Sequence, residues 1–333
     1  MNQLAVGVIG AGGIARREHI PAFDSHPDAN VVAVCDPDES QLSAVAENWD
    51  VESVYRSAEE MLADTDLDIV DICSPPEFHL EQAVLAFKNG CDVVMEKPMV
   101  ESIEDADELR RVQLDTGRKL TMIHNRKYRR SISRPLELVE EGELGQIHTI
   151  DVNRFVDGDR EEKIHDPNRW EHTLKGGRWA EILPHHIYQP FLFVDDLELL
   201  SVDAKAVNEK YKPYLIADEV SVQLAHANGY VRIRYTANAD EKTREMVIHG
   251  ADGKIVTDAA STAKMRRFGS DWEDLTDGDD GSMSSHAREL DRFIEYVRGD
   301  GPNPVSWEEA YTTMRIVDEI SEKLRSQYAH RDG

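Results

Sequence analysis

Leu4-Ala5-Val6-Gly7-Val8-Ile9-Gly10-Ala11-Gly12-Gly13-Ile14-Ala15 is the stretch that decides the fold. A short apolar run, read as a strand, stops at glycine and passes into a helical stretch, Ala15 to Asp24. The turn between them reads G-x-G-x-x-A. Gly10 permits the tight turn, Gly12 lets backbone approach a pyrophosphate, and Ala15 allows the helix to pack closely on the strand. The helix start adds free N–H groups and a partial positive charge. Alone the motif is weak, but a second apolar run, Val31–Cys35, ends in Asp36. A carboxylate there is placed to accept hydrogen bonds from the ribose hydroxyls of a dinucleotide, and it repels a 2′-phosphate. NAD is therefore expected, with NADP open because Arg16 or Arg17 can bind a phosphate.

Outward from that stretch, strand and helix alternate. Asp68–Cys73, Cys91–Met95 and Lys119–Ile123 read as further strands. Glu39–Glu47, Ala58–Ala63, Glu77–Asn89 and Ile103–Asp115 read as helices. Nearly continuous apolar strands separated by helices indicate a parallel, doubly wound sheet covered on both faces. Beyond residue 125 the pattern changes. A short helix, Ile132–Glu141, precedes strand-like runs at Ile147–Val156, Leu199–Asn208, Val220–Ala225, Tyr230–Ala237, Met246–His249 and Lys254–Thr257. Asn228-Gly229 is a hairpin signal. This is an α+β domain with a mostly antiparallel open sheet. Two helices close the chain: Leu290, Phe293, Ile294 and Val297 share one face, and Ser306 with Glu309 predicts a capping box. The expected division is 1–125, 126–285 and a C-terminal helical stretch, 286–333, packing back across both domains.

The 333 residues hold 38 Lys+Arg against 65 Asp+Glu, a formal charge of −27. Such a charge repels phosphate backbones and anionic lipid, so nucleic-acid and membrane partners are not expected. The longest apolar runs fall well short of the ~18 residues a membrane span needs. Met1-Asn2-Gln3-Leu4 lacks the basic start of a secretory signal. Three cysteines, Cys35, Cys73 and Cys91, fit a reducing cytoplasm better than a disulfide scaffold. Arginine (25) outnumbers lysine (13), and acids are spread along the chain, densest at Asp271–Asp274, Asp277, Asp279 and Asp280. That dispersed acidity resembles cytoplasmic proteins of extreme halophiles.

Two more turns narrow the function. Ser74-Pro75-Pro76-Glu77-Phe78-His79 follows one strand, and Met95-Glu96-Lys97-Pro98 follows the next. Together with Gly10–Ala15, in this order and spacing, they resemble the glucose–fructose oxidoreductase/inositol dehydrogenase/MocA family. The resemblance implies a Rossmann domain that holds the dinucleotide through Gly10, Gly12, Gly13, Ile14, Asp36, Ser74, Pro75, His79, Glu96, Lys97 and Asn125. It also implies that Lys97 contacts substrate near the nicotinamide. An ammonium at the rim of a parallel sheet, ahead of a proline that readily takes a cis bond, suits an electrostatic anchor for a hydroxyl or carbonyl. The family's second domain often makes the oligomer contact with its free sheet face, so a homodimer or homotetramer is expected.

Gly176-Gly177-Arg178-Trp179-Ala180-Glu181-Ile182-Leu183-Pro184-His185-His186 matches the family's glycine pair followed by Asp-x-x-x-His, with Glu181 in place of the aspartate. Residues i and i+4 share a helical face, so Glu181 can orient His185 as an acid/base. His186 competes for that role, and Pro184 is expected to set the helix start later. Arg126, Arg169, Trp170 and His186 are candidate substrate residues. No set of side chains has structural zinc spacing. Lone histidines such as His19, His226 and His249 are read as structural or exposed. The expected activity is NAD(P)-dependent hydride transfer to or from a sugar, inositol or related polyol. Alternatives on the same fold are a sugar–sugar oxidoreductase with tightly held cofactor and a dinucleotide-sensing regulator without catalysis.

Overall fold

The computed structural model describes residues 3–166, 169–212, 215–277 and 283–328. Asp279 and Asp280 of the acidic run, and Met1 and Asn2, lie outside them. Two compact units form: residues 1–125 with 281–311, and residues 126–280 with 312–333.

The first unit is a six-stranded sheet. Its strands are β1 (Leu4–Ile9), β2 (Ala29–Cys35), β3 (Ser53–Tyr55), β4 (Ile69–Ile72), β5 (Asp92–Met95) and β6 (Leu120–Met122), in the order β3-β2-β1-β4-β5-β6. All five pairings are parallel. Every strand therefore ends on one rim, and the order reverses between β1 and β4, where open α/β sheets bind ligands. β3, absent from the sequence reading, is a three-residue edge strand with no buried residue to mark it. The helix after the glycine turn opens as a π-turn, Ala15–His19, before the α-helical Ile20–Asp24. The helix Ser285–Arg298 lays Leu290, Phe293 and Ile294 into the same core as Val6, Val8, Val31 and Val34. Lys119 Nζ donates to the Tyr296 and Val297 carbonyls at its end, at 2.6 and 2.9 Å, where a cation best meets orphan carbonyls.

The second unit is an eight-stranded sheet. Its strands are β7 (Ile147–Asp157), β8 (Glu198–Lys205), β9 (Glu219–His226), β10 (Gly229–Thr236), β11 (Asn238–Gly250), β12 (Gly253–Thr257), β13 (Ala263–Arg267) and β14 (Glu273–Asp274). The order is β14-β13-β12-β11-β7-β10-β9-β8, antiparallel except for β7 beside β10. One face carries Ile150, Val152, Val231, Ile233, Met246 and Ile248. These pack with Ile132, Trp179, Leu183, Ile187, Ile316 and Ile320 from the helices Arg130–Glu140, Arg178–Phe191 and Trp307–Tyr328.

The hairpin expected at Asn228-Gly229 forms between β9 and β10, with Ala227-Asn228, neither at positive φ, at its tip and Gly229 already in β10. The glycine is needed there because a Cβ would stand 1.9 Å from the His148 carbonyl oxygen on β7. Helix Arg178–Phe191 begins before Pro184, which it carries inside; Gly177, at φ +57°, turns the chain into it. β13 and β14 went unread because both are short and rich in charge. Ser306 Oγ caps the last helix by accepting the Glu309 N–H at 3.1 Å, while the Glu309 carboxylate meets His124 Nδ1 at 2.7 Å.

Candidate active site

In the first unit the rim turns are built against one another. Gly10 has φ +92°, and a Cβ on it would lie 2.8 Å from Ser74 N and 2.9 Å from Cys73 C. Only glycine brings the first turn so close to the turn after β4. Gly12 and Gly13 have nothing within 4 Å of a Cβ position, so that edge of the turn is open. The Asp36 carboxylate ties β2 to this turn: Oδ2 accepts the Ala11 N–H and Oδ1 the Asp38 N–H, each at 2.8 Å. Ile14 is half-buried at the start of the π-turn. An open glycine edge, a helix start and a fixed carboxylate at the switch point fit a dinucleotide.

Behind the rim lies a histidine-held layer that the sequence did not announce. His79 is buried, with Nδ1 at 3.0 Å from the Met99 carbonyl and Nε2 at 2.8 Å from the Ser74 carbonyl. It joins the turn that holds Ser74 and Pro75 to the one that holds Lys97. Ser74 Oγ also donates to Gln82 at 2.6 Å. Lys97 is half-buried, precedes Pro98 by a cis bond, and donates its backbone N–H to Glu96 Oε2 at 2.9 Å. Glu96 Oε1 meets His19 Nε2 at 3.2 Å, and His19 Nδ1 meets Asp71 at 3.0 Å. Burial alone lowers the His19 pKa, but the Asp71 carboxylate holds it well above the ordinary value. Burial raises Glu96, yet His19, Lys97 and His286 draw it down to about 2. Both carboxylates favour the protonated form of the ring between them. Among the described residues His19 takes part in both groups with a cation-binding donor set: one with Glu96 and His286, one with Asp71 and Cys73. Asn125 is buried and donates to Ser285 Oγ at 3.0 Å. The cysteines are buried and free, with burial pushing Cys35 and Cys73 to about 12 and Cys91 to about 11. None is a thiolate nucleophile near neutral pH.

In the second unit, helix Arg178–Phe191 carries Glu181, His185 and His186. His185 is half-buried and its Nδ1 lies 2.9 Å from the Tyr188 hydroxyl, which also accepts the Arg126 N–H at 3.3 Å. Tyr188 escaped the sequence reading because it looks like one more core aromatic at i+3. Glu181 approaches Arg178 at 3.7 Å. His186 is buried; burial and then Arg126, Arg154 and Arg244 hold its pKa well below the ordinary value. It is neutral and a poor proton carrier near pH 7. Arg169 forks onto the buried Glu171 carboxylate through Nε at 2.9 Å and Nη2 at 2.6 Å. Trp170 is half-buried in the turn Trp170–His172.

Among the described residues, no helix is long and apolar enough to cross a membrane. Residues 4–124 match the model of an oxidoreductase family's NAD-binding Rossmann fold, and residues 136–328 match that family's C-terminal α/β domain. D-glucoside 3-dehydrogenase of Escherichia coli is 35% identical over 149 residues, spanning 44% of this chain and 41% of that protein. D-xylose 1-dehydrogenase (NADP+) 2 of Haloferax volcanii is 25% identical over 96% of this chain and 97% of its own. In structure, the WlbA dehydrogenase of Bordetella pertussis, solved with NADH and UDP-GlcNAcA, superposes with a TM-score of 0.81 at 19% identity. That match covers 98% of this chain and 96% of the other. The chain belongs to the glucose–fructose oxidoreductase/inositol dehydrogenase/MocA family of NAD(P)-dependent oxidoreductases.

Proposed function

We propose that the protein oxidises or reduces a carbinol carbon of a sugar, inositol or related polyol. The bound nicotinamide accepts or gives the hydride. His185 exchanges the hydroxyl proton through Nε2, because Nδ1 faces Tyr188. Glu181, one turn earlier on the helix, supports it electrostatically. The Lys97 ammonium stabilises the oxyanion character of the substrate oxygen. Gly10, Gly12, Gly13, Ile14, Asp36, Ser74 and Pro75 hold the dinucleotide. His79, Glu96 and Asn125 act behind them, through the turns they fix. Arg126, Arg169, Trp170 and His186 serve the substrate side.

The observation that carries this reading is the contrast between adjacent histidines. His185 is half-exposed and oriented by a hydroxyl, whereas His186 is buried among guanidinium groups. Lys97→Ala and His185→Ala should each lower kcat by about two to four orders of magnitude, followed as NADH absorbance over a polyol panel. Dinucleotide affinity should hold. Full turnover in His185→Ala with loss in His186→Ala reverses the assignment.

Asp36 favours NAD. The xylose dehydrogenase relative is named for NADP, so the preference is read from this carboxylate and not from kinship. Equal or tighter NADP binding in a fluorescence titration would show that Arg16 or Arg17 overrides it. The same reading includes a cytoplasmic, salt-adapted homodimer or homotetramer joined through the second-unit sheet, for which light scattering gives the mass.

A further inference from the structure

We propose that the substrate carries an anionic group, a carboxylate or a phosphate, received by Arg126, Arg154 and Arg244 of the second unit; this deepens the reading above and rests on it. The sheet pattern is the first evidence. On β7, Ile150, Val152 and Val156 point to the covered face, and Arg154 falls in that alternation. On β11, Met246 and Ile248 do the same, and Arg244 continues their row. An arginine at either place interrupts an apolar stripe. The two are also direct cross-strand partners, Arg244 opposite Arg154. Like charges so paired destabilise a sheet unless something negative lies between them.

Among the described residues, the carboxylates that approach this cluster stay beyond hydrogen-bond distance. Arg154 Nη2 reaches Glu161 only at 4.0 Å, and Glu161 is shared with Arg178 at 3.6 Å. Glu181 goes to Arg178 at 3.7 Å. None of these is hydrogen-bond distance. Arg154 Nη1 and Arg178 Nε and Nη1 are buried without a hydrogen-bond partner, and the Arg178 side chain is only 7% exposed. Desolvation, then the other guanidinium groups, depress Arg126 to about 10 even though Tyr188 supports its charge. A half-buried cluster of guanidinium groups that repel one another, with Arg154 Nη1 left without a hydrogen-bond partner, marks a site that an anion completes. Guanidinium forks match carboxylate and phosphate oxygens. Such strain at a binding site is the expected cost of prepared recognition.

The test titrates the full chain, in the presence of NADH, with D-glucuronate, D-glucose 6-phosphate and D-glucose. At least one anion should bind tenfold or more tightly than glucose, and which one does so tells carboxylate from phosphate. Arg244→Gln, and separately Arg154→Gln, should remove that preference while leaving the ligand-free melting temperature unchanged or higher. A merely structural arginine would lower it. Three results overturn the proposal: glucose binding as well as both anions, a preference that survives both substitutions, or no binding by any of the three. Should a variant fail to fold, the wild-type comparison still decides. NADH formation from neutral polyols without anion preference removes this inference alone. Anion binding without NADH formation from any alcohol keeps the subsite and removes hydride transfer.

Discussion

His19 does the work of a covalent cross-link between two strand ends and the Lys97 turn. Its Nδ1 meets Asp71 within β4 and its Nε2 meets Glu96 just after β5, all of them buried. The pKa directions give the pH dependence. His19 titrates above its unfolded value of ~6.5, so its contribution is complete below ~6.5 and is lost as pH rises through the folded pKa. Glu96 is drawn down to about 2, so its contribution is present above the unfolded value of ~4.3 and is lost as pH falls from there. The pair therefore supports the fold most between ~4.3 and ~6.5. His19→Gln should melt several degrees lower at pH 6 and should flatten the decline of the wild-type midpoint between pH 6.5 and 9. Melts at half-unit intervals measure it, and an unchanged slope would remove the imidazolium. Nothing near His19 in sequence reveals this, because its partners stand 52 and 77 residues away. The sequence offers only a lone histidine on a helix, and the structural reading of it says nothing of what it holds.

At the scale of elements, the glycine turn and the helix Arg178–Phe191 differ in how openly they declare themselves. Gly10 is legible because its role is backbone: φ +92° and a 2.8 Å approach to Ser74 N leave no room for a side chain. Gly10→Ala should destabilise the fold by about 1–3 kcal/mol, since the atoms it meets are backbone and cannot swing away. It should also weaken NAD binding. A midpoint within error of wild type in urea would mean the turn relaxes freely. Tyr188 is the opposite case. Its ring is core, and only its hydroxyl, set between the Arg126 N–H and His185 Nδ1, has chemistry. Tyr188→Phe keeps the packing and removes the hydroxyl that both polar groups meet. A fall in kcat of about tenfold to a hundredfold, with KM nearly unchanged, follows from a cost of that size. A larger rise in KM than fall in kcat would place Tyr188 in substrate binding instead. β7 is readable as a strand from its apolar residues, but of β11 only Met246–His249 is, because its first half, Arg244 included, is polar and charged. Arg154 and Arg244 were not readable as a pair, because register between distant strands is invisible in one sequence.

For the whole molecule, the net charge of −27 is the property a linear reading obtains completely, and the arrangement of ion pairs is the one it cannot. Many acids find partners at the surface, as in Arg267 with Glu143 and Arg315 with Glu319, each at 2.6 Å. Exposed pairs of this kind contribute about 0–1 kcal/mol and weaken in salt. The excess of acids works the other way: compaction brings unmatched carboxylates together, and that repulsion fades as the Debye length shrinks from ~10 Å at 0.1 M salt to ~3 Å at 1 M. With 65 acids against 38 bases the second effect is expected to outweigh the first. The thermal midpoint is therefore expected to rise from low-salt buffer to molar KCl at one pH. The same field bears on the arginine subsite, since an acidic surface slows the approach of an anionic substrate and screening restores it. Association rates for the preferred anion should climb over the same salt range, measured by stopped flow. Its affinity should climb less, because salt also competes inside the subsite. A midpoint that is flat or higher at low salt would show that the surface pairs dominate and that the acidity is not an adaptation to salt, and it would leave the fold and the site as they stand.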